Sequence, residues 1–582
     1  MKELLSGNEA VARGAFEAGF HFAAAYPGTP STEILENISK YKEIHSQWAV
    51  NEKTSLETAL GASFAGARSL VALKHVGLNV AADPFFSAGY IGARGSLVIV
   101  SADDPGMHSS QNEQDNRNYA RSAKIAMLEP SDSQEAKDFT KLSAEISEEF
   151  DTPVLLRITT RISHSRSIVE MEDRKDVPKK GYEKNVKKNL VMPAHARILH
   201  KKAEERLVKL KEYSNNSDIN SIEYNDKSIG IITSGISYQY VKEAMPEASV
   251  LKIGMSWPLP DRKIREFADN VDKLYVVEEN DPFIETEVKA MDIDITGKDI
   301  IPGVLELNPR IVKQSFNKVD KLEPAELSER APIRPPALCP GCPHTSVFRA
   351  INKLKLIATG DIGCYTLGAL PPLSAMDTCV DMGASIGNAL GIELMKDEDD
   401  KRGIVAVIGD STFYHSGITG LIDIIYNKGK STVIILDNSI TAMTGHQDNP
   451  GTGKTLMGED TVKMDLIKLV KGLGLEHVYD IDSYDLDGVE KLIKREVERD
   501  EPSVIIAHNP CMLLPDMKKK PKDKFYIDHD KCTGCKMCIQ LGCPAISFDK
   551  DAKKATIDKQ FCVGCTLCVQ TCNFDAIKKI EE

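Results

Sequence analysis

Two apolar runs in the second half of the chain end on oxygen ligands. Val405-Ala-Val-Ile408 leads into Gly409-Asp410-Ser411-Thr412, and the run that starts at Thr432 closes on Asp437-Asn438. The interval between Asp410 and Asn438 is long enough for one helix and a second buried strand. A carboxylate and an amide then stand at the carboxyl ends of two parallel strands, the edge where open α/β sheets bind ligands. Mg²⁺ takes a few hard oxygens from side chains and the rest from phosphate and water, so this edge suits a metal-bridged phosphate.

A second chemistry is written in thiols. Among the 13 cysteines, Cys532, Cys535 and Cys538 are followed by Cys543-Pro544, and Cys562, Cys565 and Cys568 by Cys572. Paired Cys-x-x-Cys-x-x-Cys runs, each with a fourth cysteine downstream, form the two-cluster ferredoxin pattern, in which each fourth cysteine ligates the other cluster. Cys532, Cys535, Cys538 and Cys572 then hold one [4Fe–4S] cluster, and Cys562, Cys565, Cys568 and Cys543 the other. Zinc sites also use Cys-x-x-Cys pairs, but three evenly spaced cysteines in each of two runs favour clusters. Two details depart from the pattern: four residues separate Cys538 from Cys543, and Asn573 stands where proline is usual. Neither removes a ligand.

These residues need rigid elements to position them. Residues 1–170 alternate strand-like runs, at Phe22–Tyr26, Ser69–Lys74, Ser96–Ser101 and Pro153–Arg157, with longer periodic stretches, which predicts an α/β domain with a mainly parallel sheet. Met1–Gly7 reads as the start of an amphipathic helix, and Ser131 with Gln134 as a capping box. Residues 171–227 turn Lys/Glu-rich and predict a solvated, helical connector. A second α/β domain spans 228–322, with runs at Ile229–Thr233, Ser249–Ile253 and Lys273–Glu278. Glu323-Pro324 and Pro332–Pro336 read as a stiff linker. A third α/β domain spans 337–515 and carries Asp410 and Asn438. Lys518–Lys522 marks a hinge into a small α+β domain over 523–582. Thr452-Gly-Lys-Thr455 is not a P-loop, because Asp448 occupies the position of the first glycine.

At 582 residues the chain exceeds what one core needs. Lys+Arg 73 against Asp+Glu 86 gives a net charge of −13, which disfavours a phosphate-tracking nucleic-acid binder and means that a small acidic ligand needs a local positive site. No apolar run approaches 18 residues, and the first residues lack an apolar signal core. The expectation is a cytoplasmic protein with no membrane contact, whose thiols serve metal or redox work.

The Gly-Asp…Asn spacing resembles the thiamine diphosphate signature, with Ser411 in place of the usual second glycine and Asp437 in place of the first asparagine. By that resemblance Asp410 and Asn438 hold Mg²⁺ by their side chains and Ile440 by its carbonyl. Thiamine chemistry and a ferredoxin module in one chain resemble the 2-oxoacid:ferredoxin oxidoreductases, and within them the large subunits that act on indolepyruvate. The motifs span nearly the whole chain: Tyr26-Pro-Gly-Thr-Pro-Ser-Thr32, Asn51-Glu-Lys53, Lys74-His-Val-Gly-Leu-Asn79, Asp103-Asp-Pro-Gly106, Ser109–Arg117, Cys339-Pro-Gly-Cys-Pro-His344, Gly360–Gly368 and Met382-Gly-Ala-Ser385.

The resemblance implies a pyrimidine-binding domain, a transketolase-C-like domain, a diphosphate-binding domain and a two-cluster ferredoxin, in that order. It makes Glu52 the partner of N1′ of the aminopyrimidine, where a shared proton promotes loss of the thiazolium C2 proton; a helix-start carboxylate would also sit well on the helix dipole. It counts His344, Gly383 and Ser411 among the cofactor-binding positions. Thr29 matches a loop that approaches substrate, or is a turn residue between Pro27 and Pro30. His344, His75 and Arg117 could bind diphosphate or carboxylate. The implied reaction is oxidative decarboxylation of an aryl 2-oxoacid with coenzyme A, reducing ferredoxin. The implied partner is a smaller beta subunit, in a heterodimer or a dimer of heterodimers. A non-redox thiamine decarboxylase with structural clusters, and an electron-transfer subunit without catalysis, are the rival readings.

Five cysteines lie outside the terminal arrays. Cys339, Cys342, Cys364 and Cys511 resemble the four ligands of a third, proximal cluster in related oxidoreductases. Alternatively they are ordinary buried or loop thiols, or Cys379 replaces Cys364 or Cys511.

Overall fold

Runs such as Leu97-Val-Ile-Val100 have no polar face, which suits strands covered by helices on both sides. In the computed structural model, which describes residues 1–317, 335–397, 399–519 and 523–581, they are such strands. The chain divides into two compact units, Met1–Glu326 and Leu327–Glu582. Most of the expected linker and the hinge from Lys520 to Lys522 lie outside the described residues.

The first unit is built on a seven-stranded sheet in the order Met255–Trp257, Ala126–Leu128, Val154–Thr159, Leu97–Asp103, Ser69–Lys74, Phe22–Ala25, His45–Trp48. All neighbours are parallel except Met255–Trp257, which runs antiparallel to Ala126–Leu128. That edge strand comes from beyond residue 228, so the boundary expected there does not separate two packing units. A four-stranded sheet, Leu274–Val277, Asp226–Ser234, Ala248–Ile253, Ser221–Glu223, completes the unit. One apolar core holds Phe85 and Leu155 from the first region together with Phe267, Phe283 and Ile284 from the second.

Three local expectations change. Lys2–Ser6 is a strand paired antiparallel with Arg166–Glu170, and the helix begins at Gly7 behind a Ser6–Glu9 capping box. The helix Ser133–Phe150 is capped one residue later than expected, by Asp132, which accepts from the Glu135 amide at 2.9 Å. The connector is not fully solvated: helix Pro193–Asn216 buries Leu199, Ala203 and Leu210, and the Arg206 guanidinium donates to the carbonyls of Gly89 and Asp151. Its Lys and Glu residues cover one side while a sparse apolar stripe packs the other.

The second unit holds a six-stranded parallel sheet in the order Thr378–Cys379, Ile357–Gly360, Ile404–Gly409, Thr432–Asp437, Ser503–His508, Val478–Asp482. Beyond it lie two antiparallel strand pairs, Phe525–Ile527 with Ile577–Lys579 and Ile546–Asp549 with Lys554–Ile557. Their small core of Phe525, Ile527, Ala555, Ala576 and Ile577 is ringed by cysteines. The class is thus α/β parallel sheets followed by a compact α+β module. No helix among the described residues is long and apolar enough to cross a membrane.

Candidate functional site

Strands Ile404–Gly409 and Thr432–Asp437 pair in parallel register, Gly409 beside Leu436, which brings Asp410 and Asn438 to the same sheet edge. Asp410 opens a short helical turn that continues as a π-helical turn, Phe413–Gly417, before the α-helix Ile418–Tyr426. Such turns are uncommon and concentrate at functional sites. Asp410 is buried, and burial first, then the neighbouring carboxylate of Asp437, pushes its pKa far above the usual range. A buried carboxyl group crowded by a second carboxylate is what a cation relieves. Asn449, which carries no spacing signal in the sequence, donates to Asp410 Oδ2 at 3.3 Å.

The remaining expected positions cluster around this edge with differing roles. Asn438 Oδ1 accepts from the Ile440 amide at 3.2 Å, and its Nδ2 lies 3.4 Å from His344 Nε2. Burial lowers His344 to about 4, which favours the neutral imidazole beside Asn438. Ser411 Oγ accepts from Thr441 Oγ1 at 2.9 Å. Gly383 adopts φ +98°, a conformation that favours glycine. Its amide donates to both carboxylate oxygens of Asp361, at 2.9 and 2.8 Å, which fixes this turn beside the sheet edge.

The cysteines fall into three groups. Cys532, Cys535, Cys538 and Cys572 line one cavity, and Cys543, Cys562, Cys565 and Cys568 line another. The second cavity is also bounded by Cys339, Pro340 and Gly341, so the terminal module is seated on the loop that carries the Cys339/Cys342 pair. Tyr484 bridges the same two parts: its hydroxyl donates to Gly341 O at 2.7 Å, and its carbonyl accepts from Gln570 Nε2 at 2.8 Å. The third group is Cys339, Cys342, Cys364 and Cys511. Burial raises the Cys342 thiol, and Cys339, Cys364 and Cys511 lie near enough to raise it further; Cys364 is pushed up to about 11 by burial, then by Cys511 and Cys339. Cys379 stands apart, its thiol directed at Asp361 O at 3.6 Å, so it does not replace a member of that group. Among the described residues no three His, Cys, Asp or Glu side chains converge around a single ion.

In the first unit, Glu52 is buried at the start of helix Glu52–Phe64, behind Asn51, whose side chain accepts from the Thr54 amide at 2.8 Å. Helix His75–Val80 crosses close above it: a Cβ on Gly77 would stand 2.8 Å from Glu52 Cγ and 2.9 Å from its Oε1. Thr29 lies in the loop after strand Phe22–Ala25, and its carbonyl accepts from Ser109 Oγ at 3.2 Å. Asp104 accepts from the Ser109 amide, Ser110 Oγ and Thr160 Oγ1 at 2.9, 2.6 and 2.6 Å.

Two residues read as possible anion binders have protein partners in the structure. Arg117 is buried and pairs with Asp115 at 2.5 Å and Glu278 at 2.6 Å. It joins the two sheets of the first unit through Glu278 and the Glu279 carbonyl. His75 is fully buried with Nε2 against Asn112 at 3.2 Å, and burial lowers its pKa. Both open short helices, His75–Val80 and Arg117–Ala123, and no short sequence pattern reveals their burial.

Comparisons with known proteins agree along the chain. Residues 13–227 match the thiamine-diphosphate-binding domain of pyruvate flavodoxin/ferredoxin oxidoreductases, 223–331 the indolepyruvate oxidoreductase domain, 361–507 the C-terminal binding domain of thiamine pyrophosphate enzymes, and 524–573 the 4Fe-4S dicluster domain. The indolepyruvate oxidoreductase subunit IorA of Thermococcus kodakarensis is 42% identical over 100% of this chain and 97% of its own length. That of Archaeoglobus fulgidus is 41% identical over 94% and 93%, and that of Methanothermobacter thermautotrophicus 39% identical over 94% and 92%. With thiamine diphosphate and [4Fe–4S] domains matched in order and relatives aligned end to end, the chain belongs to the IorA family of thiamine-dependent 2-oxoacid:ferredoxin oxidoreductases.

Proposed function

We propose that the chain, with a smaller partner subunit, catalyses the oxidative decarboxylation of aryl 2-oxoacids of the indolepyruvate type. The 2-oxoacid loses CO₂, its acyl carbon passes to the thiol of coenzyme A, and the two electrons released reduce two ferredoxin molecules. The relatives' names support the aryl substrate. The observation that carries the redox reading is a single contact: the Cys511 amide donates to the carbonyl of Asn438 at 3.0 Å, joining the metal-binding edge to a thiol group suited to a cluster.

Asp410, Asn438 and the Ile440 carbonyl would hold Mg²⁺ against the diphosphate, and the crowded Asp410–Asp437 pair supports a cation there. Cys339, Cys342, Cys364 and Cys511 would hold a third [4Fe–4S] cluster beside the two of the terminal module. Thiamine supplies an electron sink for decarboxylation, and the clusters supply one-electron acceptors. Glu52 would share a proton with N1′ of the bound aminopyrimidine, and its burial would keep water from that proton. His344 orients Asn438. Thr29 stands on a loop at the substrate side. The protein works in the cytoplasm, without nucleic acid or membrane.

The test is anaerobic co-purification with the partner, followed by ferredoxin reduction with indolepyruvate, phenylpyruvate and pyruvate, with and without coenzyme A. Coenzyme-A-dependent reduction fastest with the aryl acids supports the reading. Release of CO₂ and aldehyde with ferredoxin left oxidised favours the non-redox decarboxylase instead.

A further inference from the structure

A chain of net charge −13 that takes an acid as substrate needs a cation where the acid binds. Near Glu52 the obvious candidates are spoken for: Arg117 is held by Asp115 and Glu278, and His75 is buried against Asn112. Lys74 is different. It ends strand Ser69–Lys74 at the carboxyl edge of the sheet, one residue before the helix that covers Glu52. The loop bearing Thr29 passes over its stem, for a Cβ on Gly28 would lie 3.2 Å from Lys74 Cβ. Its ammonium donates to Ser109 O at 2.5 Å, and among the described residues no carboxylate lies within ion-pair distance. An ammonium has three donors, so two are left for a ligand. Glu52 and Asp104 stand farther off and favour its charge, while burial opposes it and lowers its pKa to about 8.

We propose that Lys74 binds the carboxylate of the 2-oxoacid substrate, between the Thr29 loop and Glu52. The assignment rests on the reading of Glu52 as the residue beside the aminopyrimidine, because it sets the substrate's acid group at the same strand ends. A lysine at this point also fits the reaction. The negative charge it binds departs as CO₂, so a single ammonium with one fixed hydrogen bond recognises the acid without the bidentate hold of an arginine.

The experiment uses the anaerobic holoenzyme with its partner subunit and compares wild type, Lys74→Met and Lys74→Arg. KM and kcat are measured for phenylpyruvate, and the inhibition constant for its methyl ester, which lacks the charge. Lys74→Met is expected to raise KM for the acid about 10- to 100-fold, the weight of one hydrogen bond to a charged group, with the ester constant unchanged; Lys74→Arg recovers most of the loss. The titratable groups facing Lys74 are Glu52, Asp104 and His75. Since the ammonium discharges as pH rises through about 8, KM for the acid climbs there in wild type and not in Lys74→Arg. An unchanged acid KM in Lys74→Met, or equal weakening of acid and ester at normal thiamine content, overturns the assignment. If the wild-type complex ignores aryl acids and turns over another 2-oxoacid, the aryl reading fails, and the same acid and ester comparison with that substrate decides for or against Lys74.

Discussion

The amide of Cys511 and the carbonyl of Asn438 meet at 3.0 Å, so the strand end that would grip Mg²⁺ and the loop that would ligate a cluster are one hydrogen-bonded piece. On the same loop system His446 Nε2 lies 3.8 Å from Cys511 Sγ. If the four thiols hold a cluster, the full chain reconstituted anaerobically carries about 12 irons, four per cluster. Cys511→Ala and Cys339→Ala are expected to bring that near 8 while thiamine diphosphate still binds. Wild-type iron near 8 would leave only the terminal pair.

Glu52→Gln is expected to keep fold and thiamine content and to lose most turnover. Glutamine fits the space beneath Gly77 and still donates and accepts, but it cannot share a proton with N1′ as a carboxyl group does. General acid–base assistance is typically worth about 10²–10⁴-fold. Steady-state ferredoxin reduction checks this, and near-normal turnover would sink the assignment.

Asp410→Ala should act earlier, on binding. Removing the buried carboxylate takes away one proposed Mg²⁺ ligand and leaves Asn449 Nδ2 without its acceptor. Thiamine diphosphate should then be lost on dialysis against a chelator that leaves wild type loaded, as measured by thiochrome fluorescence. Retention equal to wild type would count against the metal edge.

Some of this was legible in the sequence for plain physical reasons. A strand buried on both faces is a continuous apolar run, so Val405–Ile408 and Thr432–Leu436 announced themselves and fixed where Asp410 and Asn438 would stand. Cysteine spacing is local, and it sorted the eight terminal thiols into the same sets that line the two cavities. What failed was anything set by distant packing. Arg117 reads as a loop cation until Glu278, far along the chain, is seen beside it. Strand Met255–Trp257 is too short to show a period, and its partner Ala126–Leu128 lies in another region. The connector helix conceals a packed stripe behind its charge, and Lys74 looked like one residue in a motif.

The buried pairs around Arg117 give the last prediction, on stability. Arg117 binds Asp115 and Glu278, while Arg157 pairs with Asp103 at 2.7 Å and with Glu129 at 2.5 Å, all on buried side chains. Removing one partner of such a pair leaves a charge with neither water nor counter-ion, typically about 3–5 kcal/mol. Arg117→Met should therefore lower the denaturation midpoint of the first unit sharply, whereas a substrate-binding arginine would change KM and leave the midpoint alone. The same network sets a pH limit. Burial alone would raise Asp115, but Arg117 and Arg157 hold it down to about 2. Its folded pKa lies below the value near 3.9 of a free aspartate, so its contribution is present above pH 4 and is lost as pH falls through 2. Denaturant melts at pH 7, 4 and 2.5 should show the wild-type advantage over Arg117→Met shrinking only in the most acidic arm; an advantage independent of pH would mean that the guanidinium acts through packing and not through its carboxylates.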